Sequence, residues 1–168
     1  MVKKQVGKLN SLWCRKSSNP FMLCQIIFAG RRFLDIRGKE TVHSIIICDD
    51  TSLKRITQIE GMSSSNGDEV VSAILVLADS KNNTYWLEDA IAATTVIQLK
   101  AEDYGLEFDM FRVHKRKDSH GNEISKLLQN LFCFPLEIIP VSLIVFTEEL
   151  DFSPALTAKI NRIHQEKW

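Results

Sequence analysis

The side chains of this chain that could do chemistry are scattered. The histidines are His43, His114, His120 and His164, and none stands at helical metal-ligand spacing from another. The cysteines are Cys14, Cys24, Cys48 and Cys133, with no CxxC pair, so neither a zinc knuckle nor a dithiol redox centre is encoded. Cys24 and Cys48 lie in apolar runs and are expected to be buried free thiols. His114 could be drawn as an acid–base pair with Asp118 or Glu123, but closeness in sequence is weak support and an exposed loop pair is the plainer reading. RVHKRK, residues 112–117, is a basic run. A solvated strand end explains it better than a nucleic-acid patch, because no aromatic residues interleave with basic ones beyond it. GxGxxG, Walker, HExxH and GxSxG motifs are absent. No protein nucleophile and no metal site is therefore expected.

Composition narrows the class further. Lys plus Arg and Asp plus Glu number 21 each, so the chain as a whole offers no electrostatic case for nucleic acid or an anionic membrane. The longest apolar runs, such as IIIC and ILVLA, are far too short for a bilayer span, and MVKKQVGKLNSLW has charge without a signal-length apolar stretch. A cytosolic protein is expected. Its 168 residues suffice for one domain with a substantial core, flanked by a short arm over 1–19 and a tail over 147–168.

The elements that must position any site follow from periodicity. Asn19-Pro20 is a helix start leading into FMLCQIIFAGRRF, with an end expected near Arg32 and a polar loop LDIRGKET after it. VHSIIIC reads as a buried strand. Asp49-Asp50-Thr51-Ser52 offers caps for LKRITQIE, with Gly61 as a stop. SSSNGDE is a loop, VVSAILVLA a second buried strand, and KNNT a turn able to cap the next helix. That helix, WLEDAIAATTVIQLKAEDYGLE, is apolar on too many sides for a surface position, and its small residues would allow another backbone to approach closely. LEFDMFRVHKR alternates like a half-exposed strand with an ambiguous inward face. ISKLLQNLF is an amphipathic helix stopping before Pro135, and IIPVSLIVF is the last strand. The order αβαβαβαβ implies layers of helix and sheet.

Several of these segments, in this order, resemble the nitroreductase family of flavin-dependent oxidoreductases. Asp89-Ala90-Ile91-Ala92-Ala93-Thr94 followed by Gly105-Leu106 is similar to the D-x-x-A-A-T run and Gly-Leu-Gly of the family's central helix. RVHKRKDSHGNEISKLLQNLFCFPLE resembles its basic strand end, loop and short helix, with Pro135 in the place of the turn proline. AGRRFLDIRGKETVHSIIICDD lies without gaps on an upstream family segment, and RIHQEKW is similar to a common family ending. The resemblance implies an α+β fold, a central mixed sheet flanked by helices, with the apolar helix at the interface of a homodimer. It implies FMN as cofactor, NAD(P)H as reductant and a small-molecule electron acceptor. Periodicity leaves open whether that helix is buried inside a monomer or against a second copy.

The resemblance also places the cofactor-binding positions, and these depart from the family pattern. The phosphate-binding arginines fall near Leu9–Trp13, where Ser11 alone matches and Arg15 is slightly off register. The flavin-bonding segment reads Leu34-Asp35 and Gly38-Lys39-Glu40. Gly38 lacks the family's amide side chain, and Glu40 is acceptor-only where a donor is needed. The backbone donors near flavin N5 fall at Gly105-Leu106-Glu107-Phe108, so Leu106 and Glu107 are expected at the ring, with the Glu107 carboxylate unfavourable to a reduced anionic flavin. Leu156-Thr157 stand about where a cationic pair would complete the phosphate site. FMN binding is therefore expected to be impaired. A non-catalytic dimer that binds another ligand or a protein is the alternative.

Overall fold

The computed structural model describes residues 20–35, 41–65, 67–82 and 84–147. Helices and strands alternate as expected: α1 (Pro20–Asp35), β1 (Val42–Ile47), α2 (Asp50–Thr57), β2 (Ser72–Asp79), α3 (Trp86–Asp103), β3 (Phe108–Arg112), α4 (Ile124–Phe132) and β4 (Ile138–Phe146). Three layers result. One sheet face packs Ile74 and Val76 of β2 and Ile144 and Phe146 of β4 against Met22, Leu23 and Ile26 of α1 and Ala90, Ile97 and Ala101 of α3. The other packs Ala73, Leu75, Leu77, Leu143 and Val145 against Leu53 and Ile56 of α2 and Ile124 and Leu128 of α4. Covered on both faces, β2 is buried from Ser72 to Ala78, which is why it reads as a continuous apolar run rather than an alternating one.

The strand order is β1-β2-β4-β3, and every pairing among the described residues is antiparallel. Among the described residues the sheet is thus antiparallel, where a mixed one was expected. The excursion between β1 and β2 leaves after Ile47 and returns at Ser72 on the same sheet end, where Ile47 pairs with Ala73, so the two strands run oppositely. β2 and β3 both start at the end marked by Phe146, which pairs with Ser72 and with Phe108. They run in the same direction, and β4 enters between them in the opposite one. Pro140 sits in this central strand, where a missing N–H is normally excluded. A bulge admits it: Val76 pairs with Ser142 and Leu77 with Pro140, leaving Val141 as an extra residue. The Val141 carbonyl accepts from the N–H of Val113 (2.9 Å) and of His114 (3.2 Å) just past the end of β3.

Local chemistry sets the helix ends, with some departures. Asp49 caps α2, accepting from the Ser52 amide at 2.9 Å. α1 continues past Arg32 to Asp35, since no Gly or Pro lies between Arg32 and Asp35, so Leu34-Asp35 are helical backbone rather than loop. The KNNT segment does not cap α3. Asp79 instead gathers the amides of Lys81 (2.9 Å) and Asn82 (3.2 Å), and the N-cap of α3 is Tyr85, without a side-chain hydrogen bond. α2 stops at Thr57, before Gly61, whose φ of +72° serves the following turn instead. The inward face of β3 is shared: Phe108 joins the α1/α3 core, and Phe111 joins the α2/α4 core. Cys24 is exposed and Cys48 only half-buried, against the expectation of buried thiols. The inward stripe of α1 is carried by Met22, Leu23, Ile26 and Gly30, and Cys24 falls off it. No helix among the described residues is long and apolar enough to cross a membrane.

α1 and α3 approach most closely at Gly30. A Cβ there would lie 2.8 Å from Ile97 Cγ1 and 3.0 Å from the Ala93 carbonyl oxygen. Gly30→Ala is therefore expected to destabilise the protein by about 1–3 kcal/mol, the usual range for overpacking. For a chain of this size that lowers the thermal midpoint by roughly 2–4 °C per kcal/mol. Adding Ile97→Val should recover part of the loss, as measured by thermal unfolding of the single and double variants.

Candidate functional site

Of the expected cofactor-binding residues, Ser11, Arg15, Gly38 and Glu40 lie outside the described residues, as do Leu156-Thr157. Leu106 and Glu107 are described, at the C-terminal end of α3. The helix ends there because Gly105 adopts φ +72°, which a side chain would resist. The Gly105 amide bonds the Glu102 carbonyl at 2.8 Å, and the Leu106 amide bonds the Ala101 carbonyl at 3.1 Å. This is the paired-bond pattern of a Schellman cap. Leu106 is half-buried and packs on the α1/α3 core, completing the cap's apolar contact. Its amide is therefore spent on the helix, and Glu107 supplies the first amide beyond the cap bonds. The Glu107 side chain is exposed.

The backbone of this turn suits a ligand that accepts a hydrogen bond; its charge does not suit an anion. Glu102, Asp103 and Glu107 are all exposed within six residues of the α3 terminus. The helix dipole adds partial negative charge at the same end. Among the described residues Lys100 is a nearby cation, and it is drawn onto Asp103 at 3.4 Å and over the Tyr104 ring. An anionic flavin phosphate or a reduced anionic ring gains nothing from these groups. The residues described here thus fit FMN through one amide and oppose it by charge. Among the described residues, no group of three His, Cys, Asp or Glu side chains could hold a metal ion.

What positions this turn is the seating of α3. In the middle of the helix, Thr94 Oγ1 donates to the Ala90 carbonyl at 2.8 Å and lies 2.6 Å from Ser142 Oγ on β4, with both residues buried. At its start, the Trp86 ring meets His114 edge-on at a centroid distance of 5.1 Å. Near its end, the Tyr104 hydroxyl donates to Gln25 Oε1 of α1. Ala93 is buried against Gly30, so the close backbone approach that the small residues permit is made by α1 of the same chain. The outer side of α3 still shows Ile91 at 45% and Leu99 at 57% exposure, and α1 shows Phe28 at 62%. Thr95 lies between them, its hydroxyl turned back onto the Ile91 carbonyl at 3.1 Å.

The acid–base pair drawn from sequence is not assembled. Asp118 accepts from the amides of His120 (3.0 Å) and Asn122 (2.8 Å) and from Asn122 Nδ2 (2.9 Å), so it organises its own turn. Glu123 pairs with Lys126 at 3.1 Å. Two polar clamps were not foreseen. Asp109 on β3 accepts from the Ser65 amide (2.9 Å) and hydroxyl (2.8 Å), pinning the 61–70 loop, and these bonds hold its carboxyl below the usual range. Glu60 accepts from the Ser119 hydroxyl and amide, and is lowered for the same reason. The serine-rich loop hinted at the first clamp; nothing local signals a partner 44 residues away. The basic run turns outward, with Arg112, Lys115, Arg116 and Lys117 exposed, and the Arg116 guanidinium lies over Gly61.

No family profile matches the chain, and no curated protein matches it in sequence. Solved structures do match. An FMN-dependent nitroreductase from Clostridium difficile R20291 superposes with a TM-score of 0.68 at 22% identity, over 90% of each chain. A protein provisionally assigned as an NADH dehydrogenase/NAD(P)H nitroreductase from Parabacteroides distasonis ATCC 8503 gives 0.66 at 21% identity, over 96% of this chain and 99% of that one. A nitroreductase family protein from Clostridium novyi NT gives 0.61 at 16% identity, over 86% and 85%. The chain has the nitroreductase fold, of α+β class.

Replacing Thr94 by Val keeps the shape and leaves Ser142 Oγ buried without its partner. The expected cost is about 1–3 kcal/mol, the price of an unsatisfied buried polar group. Thr94→Val combined with Ser142→Ala should be less destabilised than the sum of the single variants, as read from denaturant midpoints in a double-mutant cycle.

Proposed function

We propose that this protein is a flavin-dependent NAD(P)H oxidoreductase of nitroreductase type, acting on a small-molecule electron acceptor as a homodimer with weakened FMN binding. The observation that carries the reading is a nitroreductase fold spanning nine-tenths or more of this chain and of two structural neighbours. Those neighbours include proteins described as FMN-dependent or as using NADH or NAD(P)H. The cytosol supplies that reductant, and the protein is assigned there.

FMN, when bound, supplies the hydride chemistry, and the protein's part is to bind and orient it. Glu107 would offer its backbone amide. Ser11 and Arg15 would approach the phosphate, and Gly38 and Glu40 the ring edge. Phosphate-binding arginines lost from the family pattern each remove a charge-assisted contact worth roughly 1.5–3 kcal/mol. Losing two weakens binding by roughly 10²–10⁴-fold. The dimer reading is supported by Ile91, Leu99 and Phe28, large apolar side chains that one chain leaves uncovered on its α1 and α3 surfaces. The alternative, a non-catalytic dimer of the same fold, is favoured by one observation: the exposed carboxylates at the α3 terminus, beside the expected flavin position.

Titration with FMN, followed by flavin fluorescence, should give saturable but weak binding, and protein purified without added cofactor should be pale. With FMN supplied, NADH oxidation should proceed with a quinone or nitroaromatic acceptor. Glu107→Gly should tighten FMN binding and raise the flavin midpoint potential, because a negative charge beside a ring that becomes anionic disfavours reduction. No binding at high micromolar FMN would leave the non-catalytic reading in its place. Sedimentation should show a dimer at micromolar concentration. Leu99→Glu should shift it toward monomer while far-UV circular dichroism stays unchanged; a folded wild-type monomer would refute the dimer.

A further inference from the structure

His114 lies where three elements meet. Its amide bonds the Val141 carbonyl at the β4 bulge, at 3.2 Å. Its ring stands at 86° to the ring of Trp86, the first residue of α3. Its Nδ1 is buried and has no hydrogen-bond partner among the described residues. A neutral imidazole tolerates this, because an edge-on aromatic contact asks for no proton. An imidazolium does not, since it carries two N–H donors that both need acceptors.

The charges around the ring weigh the same way. Arg112 on β3 and Lys115 in the following turn repel a proton, and among the described residues Glu123 at the N-cap of α4 attracts it. On α3, Glu88 and Asp89 are the nearest acids in sequence to Trp86. The α3 N-terminus carries positive partial charge from its dipole. The bulge segment Pro140–Val141 brings no charge. Burial, the largest influence, and the two cations both lower the pKa of His114.

We propose that His114 is an acid-sensitive latch on the start of α3: protonation puts a donor on the buried, unpartnered Nδ1, and the ring leaves its place against Trp86 to reach water, releasing the first turn of the helix from the bulge. Because the folded state binds this proton less readily than the unfolded chain, stability is unaffected well above the ordinary imidazole pKa of about 6.5. It falls as pH drops from there toward the folded-state value. The opening equilibrium should rise by up to about tenfold per pH unit across that window.

The test is hydrogen exchange by mass spectrometry at pH 7.5 and 5.5, with rates corrected for intrinsic exchange. The peptide covering 84–92 should lose protection on acidification, while a peptide from β2 keeps it. In His114→Phe, which retains a ring against Trp86 and cannot be protonated, the 84–92 peptide should keep its protection at pH 5.5. Should that variant fold poorly, long-range ¹H–¹⁵N correlation spectra of the wild type decide. The His114 ring should titrate below about 6.5, with the Trp86 indole resonance shifting at the same midpoint. Equal loss of protection in wild type and variant, or an imidazole titrating at or above 6.5, would overturn the proposal.

Discussion

The absence of a side chain at Gly30 is the constraint on which the α1/α3 layer depends. It lets α1 approach the Ala93–Ile97 turn of α3 almost to backbone contact. With α1 so close, α3 can also seat on the sheet through Ala90, Ile97 and Ala101, none of which leaves room for a second layer of bulk. Small residues on two adjacent sides of one helix are thus explained by two neighbours within the chain. The large apolar residues that remain outward, Ile91 and Leu99, have no such explanation.

Length matching carries the crossover. α3 has 18 residues, about 27 Å at 1.5 Å per residue. β2 has eight residues, about 26–27 Å at 3.3–3.4 Å per residue. The helix therefore spans the sheet once, from the end where β2 stops to the end where β3 starts, and a Schellman cap at Gly105 turns the chain directly into the strand. The same geometry leaves a gap between β2 and β3 that β4 fills in the opposite direction. Its bulge at Val141 both tolerates Pro140 and gathers the chain beyond β3, bringing His114 to the start of the helix.

Scaffold and site differ in how they use charge. Polar groups of the scaffold pair with each other at short range, as at Thr94–Ser142 and Asp109–Ser65. The α3 terminus instead collects exposed carboxylates at the negative end of a helix dipole, the reverse of an anion-binding end. The fold shared with an FMN-dependent nitroreductase is here combined with a local field that disfavours added negative charge.

Much of the fold was legible from the chain alone. Periodicity found all eight elements in order, since burial on one stripe or on both faces leaves a pattern of apolar residues that needs no partner to be read. Asp49 as a cap and Gly105 as a helix stop were equally local, because each acts within four residues of itself. Contacts distant in sequence left no such trace. Antiparallel pairing of the described strands depends on which sheet end each connection returns to, and a sequence of elements does not specify that. The exposure of Cys24 depends on which stripe of α1 faces α3, and an apolar run around it cannot show the rotation. The meeting of His114 with Trp86 depends on a bulge 27 residues further on, whose Val141 carbonyl holds the His114 amide. For the site, Leu106 and Glu107 were singled out only by the resemblance of Gly105-Leu106 to the family's Gly-Leu-Gly segment. Tertiary structure decided that the Leu106 amide is consumed by the cap and that Glu107 points its charge into solvent, because the cap's hydrogen bonds, rather than residue type, determine which amide is left to a ligand.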